Sequence, residues 1–192
     1  MTATEYPIVA FKTIDLWEKW LEKNHAILPG IWIQLFKKES GVDSITRAEA
    51  LEVALCYGWI DGQAKSLDET SWLQKYTPRR PKSMWSKRNT ELTTQLIKDG
   101  IMKPAGFAEI EKAKADGRWE KAYDAPSTMT IPEDFLIALT KNKKAKTFFE
   151  SLNKTNVYAI VWRLQTAKKP ETRTKRMNVI LEMLSKEEKL YP

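Results

Sequence analysis

Strand-forming runs end at Thr77 in this chain, and the pattern beyond them is helical. Ile8-Val9-Ala10-Phe11 and Ile31-Trp32-Ile33-Gln34-Leu35-Phe36 are rich in β-branched and aromatic residues, which suit a pleated, buried surface. Asp61 to Leu67 and Ser71 to Thr77 flank an Asp68-Glu69 turn and read as two further strands. Among them, Thr13 to Asn24 sets Ile14, Trp17 and Leu21 at helical spacing. Thr46 and Glu49 form a capping box ahead of Leu51, Ala54 and Leu55, and Gly58 is placed to end that helix in the left-handed conformation.

Pro78-Arg79-Arg80-Pro81 breaks regular structure, because each proline fixes φ and removes a donor. A helix is expected from Ser86 to Asp99, with Leu92, Leu96 and Ile97 inward and Gly100 as its stop. Another follows Pro104, carries Phe107 and Ile110, and stops near Gly117. Ala125-Pro126-Ser127-Thr128 is small, polar and Pro-containing, and marks the expected boundary. Beyond it, Pro132-Glu133-Asp134 opens a helix. Val157, Ile160, Val161 and Leu164 repeat an i, i+3, i+4, i+7 pattern that Met177, Ile180, Leu181 and Leu184 take up again. The expectation is an α+β fold: a mixed domain over 1–125 with a small, mainly antiparallel sheet, then a basic all-α domain of about four helices over 126–192.

Several chemistries are closed off. One cysteine, Cys56, rules out an internal disulfide framework, and its place in an apolar helix reads as a buried, inert thiol. One histidine, His25, stands at a helix end, where a solvated or capping role is expected. Without a second histidine, His-based metal sites and Ser-His-Asp triads are not expected. Seven scattered glycines make no phosphate-cradling loop, so no nucleotide, cofactor or metal is expected. No apolar stretch approaches the ~18–20 residues of a membrane span. Met1 to Pro7 lacks the charge and apolar core of a signal peptide, which points to a cytoplasmic protein.

Net charge is +7, of which Ser127 to Pro192 holds +6. Such an excess suits an acidic partner, a phosphate-rich polymer or an anionic surface, and it equally suits a solvated helix face. From Lys75 to Thr90 there are six basic residues and no acids, beside two tryptophans and one aspartate. Trp59, Asp61, Arg79, Arg80, Trp85, Ser86 and Asn89 are therefore the candidate ligand-binding set, a seat for a small anionic ligand or a protein partner. On the structural side, Asp61 bonds turn N–H groups or pairs with Arg79 or Arg80, and Trp85 anchors the loop to the core. Lys169, Arg173 and Arg176, in the densest basic run, are candidates for gripping phosphate or a partner.

These same stretches resemble the YdeI/OmpD-associated family, often labelled bacteriocin-protection proteins. The resemblance rests on Tyr57-Gly-Trp-Ile-Asp-Gly62, on Thr77-Pro-Arg-Arg-Pro-Lys-Ser-Met-Trp-Ser-Lys-Arg-Asn89, on Met102-Lys-Pro-Ala-Gly106 and on Ala167-Lys-Lys-Pro-Glu-Thr-Arg-Thr-Lys-Arg176. Lys169-Pro170 departs from the usual run before Glu-Thr-Arg. The resemblance implies a bacterial accessory protein linked to tolerance of bacteriocins or cationic antimicrobial peptides, and association with an outer-membrane porin. It supplies no catalytic residues. The leading expectation is a non-catalytic binding protein. The alternatives are nucleic-acid binding through the C-terminal helices and a hydrolase or transferase with Asp61 as general base.

Overall fold

The computed structural model describes residues 6–124, 128–167 and 169–191. The expected linker Ala125-Pro126-Ser127 lies outside the described residues, as do Met1 to Glu5 and Lys168 of the basic run. The chain divides into two units, one of residues 1–85 and 89–121, the other of residues 86–88 and 122–192.

The first unit is built on a four-stranded mixed sheet in the order β1-β2-β4-β3. Strand β1 (Ile8–Ala10) runs parallel to β2 (Ile31–Phe36), and helix α1 (Ile14–Asn24) lies between them in sequence. Strands β3 (Trp59–Ser66) and β4 (Ser71–Pro78) form an antiparallel hairpin, and β4 also pairs antiparallel with β2. The period-2 pattern of β2 buries Ile31, Ile33 and Leu35 completely and leaves the alternate residues half-covered. Asp68 shapes the hairpin turn, accepting from the Thr70 and Ser71 amides and from both hydroxyls. Those bonds hold its carboxyl below its ordinary pKa.

Strand β3 carries a register shift between Asp61 and Ala64. The buried Gln74 secures the bulge, donating through Nε2 to the carbonyls of Gly62 (2.9 Å) and Gln63 (3.3 Å). On the sheet, Trp17 stacks on Trp20, Trp20 meets Trp59 edge-on, and Phe11 and Tyr76 close on Trp17. Trp17 Nε1 donates to the Ala50 carbonyl and Trp59 Nε1 to that of His25, so these buried indoles keep their polar atoms satisfied.

Helix α2 (Arg47–Cys56) opens with the Thr46–Glu49 capping box and stops at Gly58, whose φ is 72°. It packs on α4 (Pro104–Ala115), and Gly106 permits the approach: a Cβ there would collide with the Cys56 carbonyl and Met102 Sδ. Helix α3 (Lys87–Lys98) precedes α4 and stops at Gly100. Of its expected inward residues, Leu96 is buried while Leu92 and Ile97 are half-covered; Thr93 takes the second buried place, because the contact stripe is narrower than the apolar pattern. Phe107 of α4 is exposed, and Ile110 is buried as expected.

The elements of the second unit beyond residue 128 are helices: α5 (Glu133–Thr140), α6 (Lys143–Glu150), α7 (Lys154–Gln165) and α8 (Pro170–Ser185). Its core joins Phe135, Leu139, Phe149, Ile160, Leu164, Ile180 and Leu184. The buried Asn156 ties down the end of the described chain, accepting from Tyr191 N–H and donating to its carbonyl.

Candidate functional site

The basic segment after β4 begins with a residue turned inward. Arg79 is buried; its guanidinium lies 3.7 Å from the centroid of the Trp85 ring and donates to the Met84 carbonyl at 2.7 Å. Trp85 is also buried, and its ring centroid lies 4.9 Å from that of Trp119. A second buried arginine, Arg118, donates to the Ser83 carbonyl at 2.7 Å and pairs with Asp116. Two guanidinium groups thus fix successive carbonyls of one loop from inside.

What the latches support is a tight turn. Ser83 N–H donates to the Arg80 carbonyl, Pro81 fills the second position, and Lys82 takes the third with φ of 64°. Proline followed by a positive φ is the type II geometry, in which the third residue is ordinarily glycine. Here it is lysine. Arg80 and Lys82 are exposed, so this turn presents two cations on a braced backbone.

Each of the other candidates has a setting of its own. Trp59 is buried in the aromatic cluster, one residue from Gly58, whose carbonyl accepts from Arg79 N–H. Asp61 is not paired with Arg79 or Arg80. Its carboxylate binds Arg47 at 2.7 Å, because the β3–β4 register faces Asp61 with Tyr76, whose hydroxyl donates to the Arg47 carbonyl at the start of α2. Ser86 belongs to the second unit, where it bridges to Tyr123, and Asn89 is half-buried in the first turn of α3.

In the second unit, Arg173 donates to the Leu164 carbonyl and, bidentately, to Asp134. Arg176 donates to the Arg163 carbonyl. Both therefore place positive charge on the C-terminal turn of α7, where the helix dipole is negative and carbonyls lack helical partners. Lys169, at the N-cap of α8, is exposed.

Residues 9–109 match the family model described as Domain of unknown function (DUF8412), and residues 128–187 match the one described as Bacteriocin-protection, YdeI or OmpD-Associated. The chain belongs to the DUF8412 family over more than half of its length, and its C-terminal part carries a YdeI/OmpD-associated domain. Neither the curated proteins nor the solved structures gave a match. The YdeI/OmpD-associated domain spans α5 to α8 with their core, together with Lys169, Arg173 and Arg176. Trp59, Asp61 and the whole run from Arg79 to Asn89 fall in the DUF8412 match. Among the described residues no helix is long and apolar enough to cross a membrane, and no cluster of metal-ligating side chains occurs.

Two side chains that shape the site escaped sequence reasoning. Arg47 leads a capped helix and Arg118 follows a helix-stopping glycine, and neither stands in a basic run. Only the tertiary register brings them to Asp61 and Ser83. Lys82 had a readable signal, since it occupies the third place of a turn that Pro81 opens. His25 takes the capping role: its Nδ1 lies 2.9 Å from the Leu21 carbonyl, which can only accept. Burial, with Glu18 adding to it, pushes the Cys56 thiol up to about 11, so the thiolate is suppressed at neutral pH.

Proposed function

We propose that this protein is a non-catalytic binding protein in tolerance of bacteriocins and cationic antimicrobial peptides, and that it meets an acidic or phosphorylated partner on the turn Arg80–Ser83. The supporting observation is the bracing of that turn. Arg79 and Arg118 hold its base, and the exposed Arg80 and Lys82 project from a backbone that loses little freedom on binding. A cationic prong of this kind competes for the same anionic groups that a cationic peptide needs. The OmpD association in the family description is the protein-partner form of the same proposal, with an acidic face on the partner meeting the turn.

The other readings draw less support. Arg173 and Arg176 spend their guanidinium groups on α7 carbonyls and Asp134, which leaves fewer cations for a nucleic-acid backbone. Asp61 is engaged by Arg47, which leaves a general base without an available carboxylate. Titration calorimetry with tripolyphosphate tests the proposal. The Arg80→Ala, Lys82→Ala double variant should bind at least about tenfold more weakly, and added salt should weaken the unsubstituted protein in the same direction. Equal affinities in the two proteins, or no heat of binding in either, would refute it.

A further inference from the structure

A hollow of about 520 Å³ lies in the helical unit, lined by Met129, Ile131, Leu152, Lys154, Val157, Tyr158 and Val161. Its size is that of a small-molecule site, roughly 300–1,000 Å³. Five of the seven lining residues are apolar, and the two polar ones sit close together on α7, at its first and fifth positions. Val157, Tyr158 and Val161 follow Lys154 at spacings of three, four and seven, so one helix face carries a cation at its N-terminal end and hydrocarbon beyond it.

We propose that this hollow binds a small amphipathic acid, with the acidic head on Lys154 and Tyr158 and the hydrocarbon body against Met129, Ile131, Val157 and Val161. Charge complementarity identifies the occupant. Among the described residues, neither the Lys154 ammonium nor the Tyr158 hydroxyl makes an ion pair or hydrogen bond, whereas the guanidinium groups of Arg173 and Arg176 at the other end of α7 are both engaged. Burial, with Tyr123 adding to it, raises the Tyr158 hydroxyl above its ordinary pKa, so at neutral pH it is a donor, as an anion requires. The first turn of α7 presents the positive end of the helix dipole on the side where Lys154 stands. A neutral head would forgo the charge-assisted contact, a cationic head would be repelled, and a fully polar anion would leave the apolar walls wet.

The site shares no residue with the turn Arg80–Ser83, so the two proposals stand or fall separately. The test compares dodecanoate, dodecanol and dodecylamine, each titrated into the full chain below its aggregation concentration. Dodecanoate should bind one to one, dodecanol about tenfold more weakly, and dodecylamine more weakly still. Lys154→Glu, a change at an exposed position, should invert the order and favour dodecylamine, a readout that mere structural damage cannot give. Val157→Phe should reduce binding of dodecanoate by filling the hollow. Equal binding of the three probes, no binding of any, or an unchanged preference in Lys154→Glu would overturn the proposal.

Discussion

Replacing Lys82 by glycine should raise stability and lower anion binding together. The left-handed conformation that Lys82 adopts, φ 64°, costs a residue with a Cβ about 1–2 kcal/mol. Glycine removes that cost, but its extra freedom in the unfolded chain returns about 0.5–1 kcal/mol of it. The net gain is then up to about 1.5 kcal/mol, which for a chain of this size raises Tm by up to about 6 °C. The same change deletes one unit charge from the prong. At about 5 Å in water a unit pair is worth about 0.8 kcal/mol, so tripolyphosphate affinity should fall about fourfold. Tryptophan fluorescence is the suitable melting probe, because seven of the eight tryptophans belong to the unit that carries the turn. Calorimetry gives the binding side. A lower Tm in Lys82→Gly would show that the turn is not strained at that residue. A higher Tm with unchanged affinity would show that the strain serves something other than anion recognition.

Two further outcomes test the packing and the ion pairing. Gly106→Ala should destabilise the first unit by about 1–3 kcal/mol in chemical denaturation, since its methyl group must displace backbone at Cys56 as well as the Met102 side chain; a neutral result would mean that α2 and α4 separate freely. Asp124 accepts from Lys87 and then Gln165, which hold its carboxyl below its ordinary pKa against a smaller opposing effect of burial. Its contribution to stability is therefore present above the usual carboxylate range and is lost as pH falls through the depressed folded-state pKa, so Asp124→Asn should flatten the acid limb of a calorimetric Tm profile.

Local signals in the sequence carried most of the fold. The capping box at Thr46 and Glu49, the stops at Gly58, Gly100 and Gly117, and the proline starts at Pro104 and Pro170 all act within a few residues of themselves. The apolar sides of α7 and α8 follow from spacing alone, and the YdeI/OmpD-associated domain lies over them. Burial of charge was not legible. Arg79 and Arg80 are adjacent and chemically alike, yet one stacks on Trp85 and the other faces solvent, a difference set by the direction in which β4 ends. Asp61 lies in the expected strand after α2, but its partner depends on strand register. The hollow beside Lys154 had no sequence signature, because Val157 and Val161 read as ordinary core positions.

The irregularity in β3 bears on how the molecule avoids its own kind. This strand stands at one end of the sheet, where an uninterrupted ladder of amides would invite a strand from another copy. The extra residue beside Gly62 throws that ladder out of step, and Lys65 adds charge a little further along. An incoming chain would find matching partners for only a few residues on either side of the break. Gln74, buried in the neighbouring strand, is thereby a guard against fibrillar stacking, although it touches no solvent itself.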